Sequence, residues 1–285
     1  MQTLMEIAQT ASREAGRAIM ELYTTTNFDT KHDGSPVTLA DMRANEVVIS
    51  HLEKTGIPIL SEESEGISLP YSDTTSTTPT VQTLANSSHT SAPYPQRMWI
   101  IDPLDGTRDF LKKNGDFAVM IGLLEEGRPI LGVVYTPAYD TLYFAEKGGG
   151  AFITQGETTS RLTVSTRTSE LRFVRSISHF TPRMKALAQK VQATLNPRGS
   201  FGIKAGILAM GEADFFVSWG KFGEWDVCAN EIIVLEAGGN VTDTQGNTLF
   251  YGTHDHKLEH GIIFSNGACH TKVFEAVRTI PQEME

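Results

Sequence analysis

The sequence predicts a mixed α+β fold, and three observations carry that reading. Apolar residues recur at helical spacing near both ends, short apolar runs between 57 and 154 stop at turn residues, and neighbouring runs lie close enough to pair antiparallel. No βαβ alternation and no internal repeat is visible, which favours α with β over a doubly wound sheet. The 285 residues, 40% hydrophobic and 20% charged, suit a globular chain and exclude a disordered or collagen-like one. No apolar run approaches the roughly 18 residues of a membrane span, and no basic-then-apolar leader opens the chain. Only Cys228 and Cys269 are present, as suits a reducing compartment. A cytoplasmic protein without a membrane partner is therefore expected. With 34 acids against 24 Lys and Arg, the net charge of −10 argues against a nucleic-acid polymer as partner. It leaves small anions open, because local charge can oppose the global sign.

The elements follow in order. Leu4, Ala8, Ala11, Ala15, Ala18, Ile19 and Leu22 line one face of an opening helix. A loop over Asp29–Pro36 precedes a second helix capped by Thr38, with Asp41 three residues on and Ala40, Ala44, Val47, Val48 and Leu52 inward. Ile57–Leu60 is a short strand that runs into Ser61-Glu62-Glu63-Ser64. Residues 72–91 hold twelve Ser or Thr among twenty, with Asp73 the only charge, and read as a mobile surface insertion. Strands resume at Met98–Asp102, Phe117–Leu124, Ile130–Thr136, Thr141–Ala145 and, after a glycine turn, Ala151–Thr154. A strand over Arg172–Ser178, a helix over Pro182–Leu195 and a short helix over Lys204–Glu212 come next. Trp225–Ala237 is a helix stopped by Gly238-Gly239, followed by a strand at Gly261–Ser265 and a closing helix at Thr271–Arg278.

Chemistry concentrates where elements end. A buried strand delivers Asp102-Pro103-Leu104-Asp105-Gly106-Thr107, in which two carboxylates and an intervening carbonyl can converge on a hard cation such as Mg²⁺. An Asp-rich turn bonding its own amides is the plainer reading. Glu62 and Glu63 end another strand, where simple solvation is the alternative, and Asp226 opens a helix, where the dipole alone would favour it. If Glu62, Asp102, Asp105 and Asp226 converge, they repel one another strongly without cations, so a multi-metal site accounts for them together. An aspartyl-phosphate mechanism of the haloacid dehalogenase type is disfavoured, because two residues, not one, separate Asp102 from Asp105.

Trp-Ile-Ile-Asp-Pro-Leu-Asp-Gly-Thr at 99–107, Ser-Glu-Glu-Ser at 61–64 and the 225–239 segment from Trp-Asp to Gly-Gly resemble the inositol monophosphatase superfamily. The resemblance runs from Leu4 to Phe274 and implies a layered αβαβα sandwich and Mg²⁺-dependent, lithium-sensitive phosphomonoester hydrolysis. It also implies two packed subregions sharing a cleft: residues 1–155 with most metal ligands, and 156–285 with Asp226 and the substrate side. Within the superfamily, Gly34–Asp41, Asp105–Phe110, Lys112–Phe117 and Ser176–His179 are most similar to 3′(2′),5′-bisphosphate nucleotidases. A departure stands at Ser200-Phe201-Gly202-Ile203-Lys204, where Phe201 replaces a nucleotide-side serine of several relatives.

The resemblance implies that Glu62, Asp102, Asp105, Asp226 and the Leu104 carbonyl hold two or three Mg²⁺ ions. It makes Asp41 and Thr107 the pair that orients and deprotonates a metal-activated water. From sequence alone, Asp41 reads equally as a helix cap and Thr107 as a turn hydroxyl. The amides of Gly106 and Thr107 are placed to cradle phosphate, and His179 and Lys204 to meet the rest of the substrate, with solvated surface groups the alternative for both. The leading expectation is release of the 3′-phosphate from adenosine 3′,5′-bisphosphate, giving AMP. An inositol, sugar or histidinol phosphate monoesterase is the alternative within the class, and a silent metal- or nucleotide-binding protein the alternative outside it. The partner is thus a small phosphorylated substrate, with a homodimer left open.

Overall fold

A computed structural model describes residues 3–24, 28–30, 36–63, 67–69, 82–84, 95–252 and 255–281. The first apolar stripe forms helix α1 (Leu4–Leu22), closed by a capping box in which Thr3 N donates to Glu6 Oε2 at 2.7 Å and Glu6 N to Thr3 Oγ1 at 3.2 Å. Its buried face is small, with Ala8, Ala11, Ser12, Ala15 and Gly16, and it packs on helix α2 (Leu39–Leu52). Thr38 caps α2 with Asp41 as partner, where the sequence placed that signal. The strands Phe28–Thr30 and Pro36–Thr38 pair antiparallel in the segment expected as loop, and residues 31–35 between them lie outside the described residues.

The first sheet has nine strands. From one edge they are Thr158–Arg161, Gly150–Gln155, Thr141–Glu146, Arg128–Thr136, Ala118–Glu125, Arg97–Asp105, Ile59–Ser61, Ile67–Leu69 and Gln82–Leu84. Neighbours run antiparallel except Ile59–Ser61, which lies parallel to Arg97–Asp105. Gln82–Leu84 falls inside the Ser/Thr-rich segment, so those three residues are a sheet edge and not loop. The rest of 72–91, like Ser64, lies outside the described residues.

A second sheet orders Thr194–Arg198, Arg172–Ser176, Phe215–Ser218, Ile262–Ser265 and Asn240–Thr242. Its first three strands are parallel and the rest antiparallel. After the short helix α3 (Thr107–Leu111), the C-terminal helices are α4 (Pro182–Val191), α5 (Phe201–Ala209), α6 (Glu224–Glu236) and α7 (His270–Arg278). Several boundaries differ from expectation, two of them in the C-terminal helices. Helix α4 stops at Val191 because Gln192 turns left-handed at φ 56°, and Leu195 joins a strand. Helix α5 begins at Phe201, capped by Ser200, three residues before the expected start.

Alternation along Arg97–Asp105 serves both sheet faces. Trp99 and Ile101 pack with α1 and α2 beside Ala15, Val48 and Val133, while Met98 and Ile100 meet Ile203 and Val227 of α5 and α6. Those two helices lie between the sheets, against Phe216 and Phe264 of the second. Helices α4 and α7 cover its far face through Leu187, Val273 and Val277 on Phe173 and Phe215. The layers are therefore α, β, α, β, α. Helix α6 sits directly on the first sheet because cross-strand partners Gly122 and Gly132 leave a groove. A Cβ at Gly122 would lie 2.5 Å from Cys228 Sγ, and one at Gly132 2.5 Å from the Ala229 carbonyl oxygen. Cys228 and Cys269 are both free and buried. Among the described residues no helix is long and apolar enough to cross a membrane.

Candidate active site

The acids converge through three separate backbone devices. In a regular strand, Asp102 and Asp105 would point to opposite faces. The register of Arg97–Asp105 against Ala118–Glu125 shifts between these two residues, at Pro103-Leu104, and the irregularity turns both carboxylates to one side. Asp226 stands in the first turn of α6 and accepts from Gly223 N at 2.8 Å, half of a capping box. Asp102, Asp105 and Asp226 each offer an oxygen within 4.8 Å of the others. Glu62 is set beside them by the parallel pairing of Ser61 with Ile101, its amide donating to the Ile101 carbonyl at 3.1 Å.

Each carboxylate is fixed by one oxygen. Asp102 Oδ1 accepts from Leu104 N at 3.0 Å. Asp105 Oδ2 accepts from Gly202 N at 2.9 Å and from Ser200 Oγ, both across the cleft from the first sheet. Burial, followed by the charges of Glu62, Asp105 and Asp226, pushes the Asp102 carboxyl well above its ordinary value. Burial and then Glu62 and Asp105 do the same to Asp226. Asp105 is also raised by burial, although Lys204, Ser200 and Gly202 oppose the rise. Three close carboxylates, two buried and one half-buried, whose negative charge Lys204 offsets only in part, are a set suited to a hard divalent cation.

Asp41 and Thr107 meet from elements 66 residues apart. Thr107 Oγ1 lies 3.0 Å from Asp41 Oδ1 and 3.2 Å from the Leu104 carbonyl, while Asp41 Oδ2 accepts from Thr38 N at 2.7 Å. Asp41 thus caps α2 with one oxygen and meets Thr107 with the other. Burial raises its carboxyl, partly offset by the Thr38 and Thr107 hydrogen bonds. Gly106 between Asp105 and Thr107 has φ 90°, and a Cβ there would lie 2.7 Å from the Asp116 carbonyl.

A cleft of about 280 Å³ opens onto the acids, and Glu62, Asp105, Gly106, Thr107, His179, Lys204 and Asp226 all line it. A second cavity of about 490 Å³ shares His179, Phe201, Lys204 and Asp226 with the cleft and extends toward Phe216, Trp219 and Phe222. Lys204 is not the solvated lysine that its sequence position allowed. Only 3% exposed, it donates to the Ser200 carbonyl at 2.6 Å and lies 4.9 and 5.2 Å over the Phe201 and Phe216 rings. Burial lowers its pKa to about 8 against the pull of Asp105, Asp109 and Asp116. His179 stands exposed at the rim with Nε2 3.0 Å from Arg108 Nη1, and burial followed by Arg108 and Lys204 lowers its pKa.

Sequence reasoning missed Arg108, Ser200 and Asp116. Asp116 Oδ2 accepts from Gly199 N at 2.7 Å, so Asp105 and Asp116 together tie the Gly199–Gly202 corner to the first sheet. Ser200 carried a faint signal as the helix-capping residue type before α5; the other two are fixed by long-range contacts.

The inositol monophosphatase family model matches residues 1–282. The chain belongs to the inositol monophosphatase family. Members of this phosphatase family similar to it include the 3′(2′),5′-bisphosphate nucleotidase CysQ of Salmonella typhimurium, 32% identical over 90% of this chain and 97% of the relative. The fructose-1,6-bisphosphatase/inositol-1-monophosphatase of Thermotoga maritima is 36% identical over 66% of this chain and 70% of its own. Among solved structures, CysQ from Bacteroides thetaiotaomicron superposes with TM-score 0.72 at 28% identity, covering 92% of this chain and 96% of that one. The Thermotoga maritima IMPase gives TM-score 0.75 at 26% identity, covering 97% of each chain. The family member described here is accordingly a phosphatase with the layered α+β architecture of that family.

Proposed function

We propose that this phosphatase is a Mg²⁺-dependent 3′(2′),5′-bisphosphate nucleotidase that converts adenosine 3′,5′-bisphosphate to AMP and phosphate in the cytoplasm. The observation that carries the reading is the convergence of Asp102, Asp105 and Asp226 within 4.8 Å at a cleft with a cationic rim. The likeness to CysQ nucleotidases over nine-tenths of the chain supports the nucleotide as substrate.

Glu62, Asp102, Asp105, Asp226 and the Leu104 carbonyl are the groups that would hold Mg²⁺. When bound, Mg²⁺ neutralises phosphate oxygens, lowers the pKa of water and stabilises the leaving alkoxide. The protein's own part is positional. Gly106 permits the φ 90° turn that brings the Thr107 backbone to the cleft, and a Cβ there would strike the Asp116 carbonyl behind it. Thr107 Oγ1, when it donates to Asp41 Oδ1, keeps its lone pairs for a proton from the attacking water. Asp41, raised by burial, then takes a proton through that hydroxyl. His179 and Lys204 border the side where the alcohol portion of the substrate sits.

A second reading, an inositol-phosphate monoesterase, is favoured by Phe201, whose ring closes the nucleotide side against Phe216 and Phe222 at 5.2 Å between centroids in both pairs. Product analysis after turnover of adenosine 3′,5′-bisphosphate with Mg²⁺ tests the first reading. AMP phosphorylated at the 5′ position is expected; adenosine 3′-phosphate as product, or no turnover, contradicts it.

A further inference from the structure

We infer that Ser200 is a positioning residue that makes Asp105 a one-oxygen ligand, closing the acidic cluster to cations that draw on both oxygens of a carboxylate, such as Ca²⁺. The inference rests on the metal dependence in the proposed function and deepens it. A carboxylate oxygen has two lone-pair directions, so two donors fill it. The anchored oxygens of the three clustered acids differ in that respect. Asp102 Oδ1 accepts from Leu104 N at 3.0 Å and Asp226 Oδ2 from Gly223 N at 2.8 Å, one backbone amide each. Asp105 Oδ2 accepts from two groups, Gly202 N at 2.9 Å and Ser200 Oγ. Both stand at the start of α5, 97 and 95 residues along the chain, so the fold and not the Asp105 turn fills that oxygen.

The second donor depends on the residue type. The Leu104, Gly223 and Gly202 anchors are backbone amides, which any residue but proline supplies. Ser200 presents its hydroxyl from φ 50° and ψ 137°, a backbone that L-residues avoid and glycine adopts freely. Capping α5 does not account for a serine there. Ile203 N donates to Ser200 Oγ at 3.3 Å, but glycine caps a helix nearly as well. What glycine lacks is the donor to Asp105. Neighbouring contacts hold the strained corner in place: the Ser200 carbonyl accepts from Lys204 Nζ at 2.6 Å, and Gly199 N donates to Asp116 Oδ2 at 2.7 Å.

The number of open oxygens matters to the cation. Mg²⁺ demands a near-ideal octahedron and keeps several waters, so one oxygen from a carboxylate suffices. Ca²⁺ is larger, takes six to eight oxygens and commonly uses both of one carboxylate. With Oδ2 filled, Asp105 meets the first need and withholds the second. Removing the Ser200 hydroxyl leaves Oδ2 with Gly202 N alone, and one lone pair opens beside the cluster.

The test reads binding as well as turnover. Metal-free protein is titrated with MgCl₂ alone and with CaCl₂ alone, and the rise in melting temperature gives an apparent Kd for each ion. The quantity compared is Kd for Ca²⁺ divided by Kd for Mg²⁺, in which a change in a variant's own stability cancels. Ser200→Ala keeps the backbone and loses the donor, whereas Ser200→Gly loses the donor and relieves the backbone. Both are expected to lower the ratio about tenfold, chiefly through tighter Ca²⁺ binding, on the scale of one charge-assisted hydrogen bond. Ca²⁺ should then suppress Mg²⁺-supported phosphate release at a correspondingly lower concentration. A wild-type ratio in either variant overturns the inference while leaving Mg²⁺ binding intact; a shift in Ser200→Gly alone would trace to the backbone. A wild type whose melting temperature does not rise with Mg²⁺ is a different result: it contradicts the metal-dependent function itself, and the inference falls with it.

Discussion

Replacing Asp102 with asparagine separates what the fold needs from what the cation needs. The new side chain is isosteric, and its carbonyl oxygen can still accept from Leu104 N, as Asp102 Oδ1 does at 3.0 Å. What disappears is a buried negative charge within 4.8 Å of two others. Two full charges at 4.8 Å, the widest spacing in the set, repel by about 3.5 kcal/mol at an effective dielectric constant near 20, so Asp102 contributes on the order of 7 kcal/mol against the folded state when all three are ionised. Burial and mutual repulsion already raise these carboxyls, so protonation relieves part of the cost. The sign is nonetheless fixed. A raised folded-state pKa in an acid destabilises the fold at every pH above it, and the asparagine is free of that penalty. Asp102→Asn should therefore melt at least about 2 °C higher than wild type at pH 7.5 in chelator. In saturating Mg²⁺ the order should reverse, because the wild type gains binding energy that the variant lacks. Phosphatase activity should fall by about 10²-fold or more. Differential scanning fluorimetry with and without Mg²⁺ reads the stability effect. A variant that melts lower than wild type in chelator and gains equally from Mg²⁺ would falsify the picture of a repelling cluster completed by a cation.

Thr107→Val keeps the side-chain shape and removes the hydroxyl facing Asp41, so kcat should fall about 10²-fold with little change in Tm, and Thr107→Ser should restore most of it; equal activity in the valine variant would contradict the proton path. Gly199→Ala would bring a Cβ within 2.4 Å of Asp109 Oδ2 and 2.7 Å of Asp116 Cβ, costing about 1–3 kcal/mol and loosening the corner that holds Asp105; an unchanged melting temperature would show that corner to be compliant. Burial alone would raise Asp214, but hydrogen bonds from Arg172 and Ser165 and the Arg172 charge outweigh it and the carboxyl is lowered. That stabilisation is present above the unfolded value near 3.8 and lost as pH falls through the folded one. Asp214→Asn should be less stable than wild type at pH 6, with the gap closing toward pH 3 in paired melting curves; a gap that does not change with pH would remove the ion pair from the account.

The parts of the molecule that were legible from sequence are those set by local pattern. Helices α1 and α2 show their apolar stripes, Thr38 and Asp41 announce a helix start, and Gly238 ends α6 with φ 92°. Asp102, Asp105 and Asp226, which the fold brings together, each stand at the end of an element, where local pattern is strong. Elements without that pattern were lost. Thr158–Arg161 is exposed throughout and carries no alternation. Thr194–Arg198 is a largely exposed edge strand containing Pro197, with Leu195 in helical phase with the residues before it. Gln82–Leu84 hides in a Ser/Thr-rich stretch and owes its strand pairing to the neighbouring Ile67–Leu69. Long-range polar contacts were likewise out of reach. Nothing near Arg108 in the chain announces His179, and nothing near Lys204 indicates that Phe201 and Phe216 will cover its ammonium. Burial of that lysine is the feature that most changes the substrate side of the site.

The most direct test of the central claim is phosphate release by the wild-type protein from adenosine 3′,5′-bisphosphate and from inositol 1-phosphate, each across a Mg²⁺ titration. Turnover that rises with Mg²⁺ and favours the nucleotide in kcat/KM is the predicted result. Preference for the inositol ester, or phosphate release indifferent to Mg²⁺ and to chelator, would contradict it.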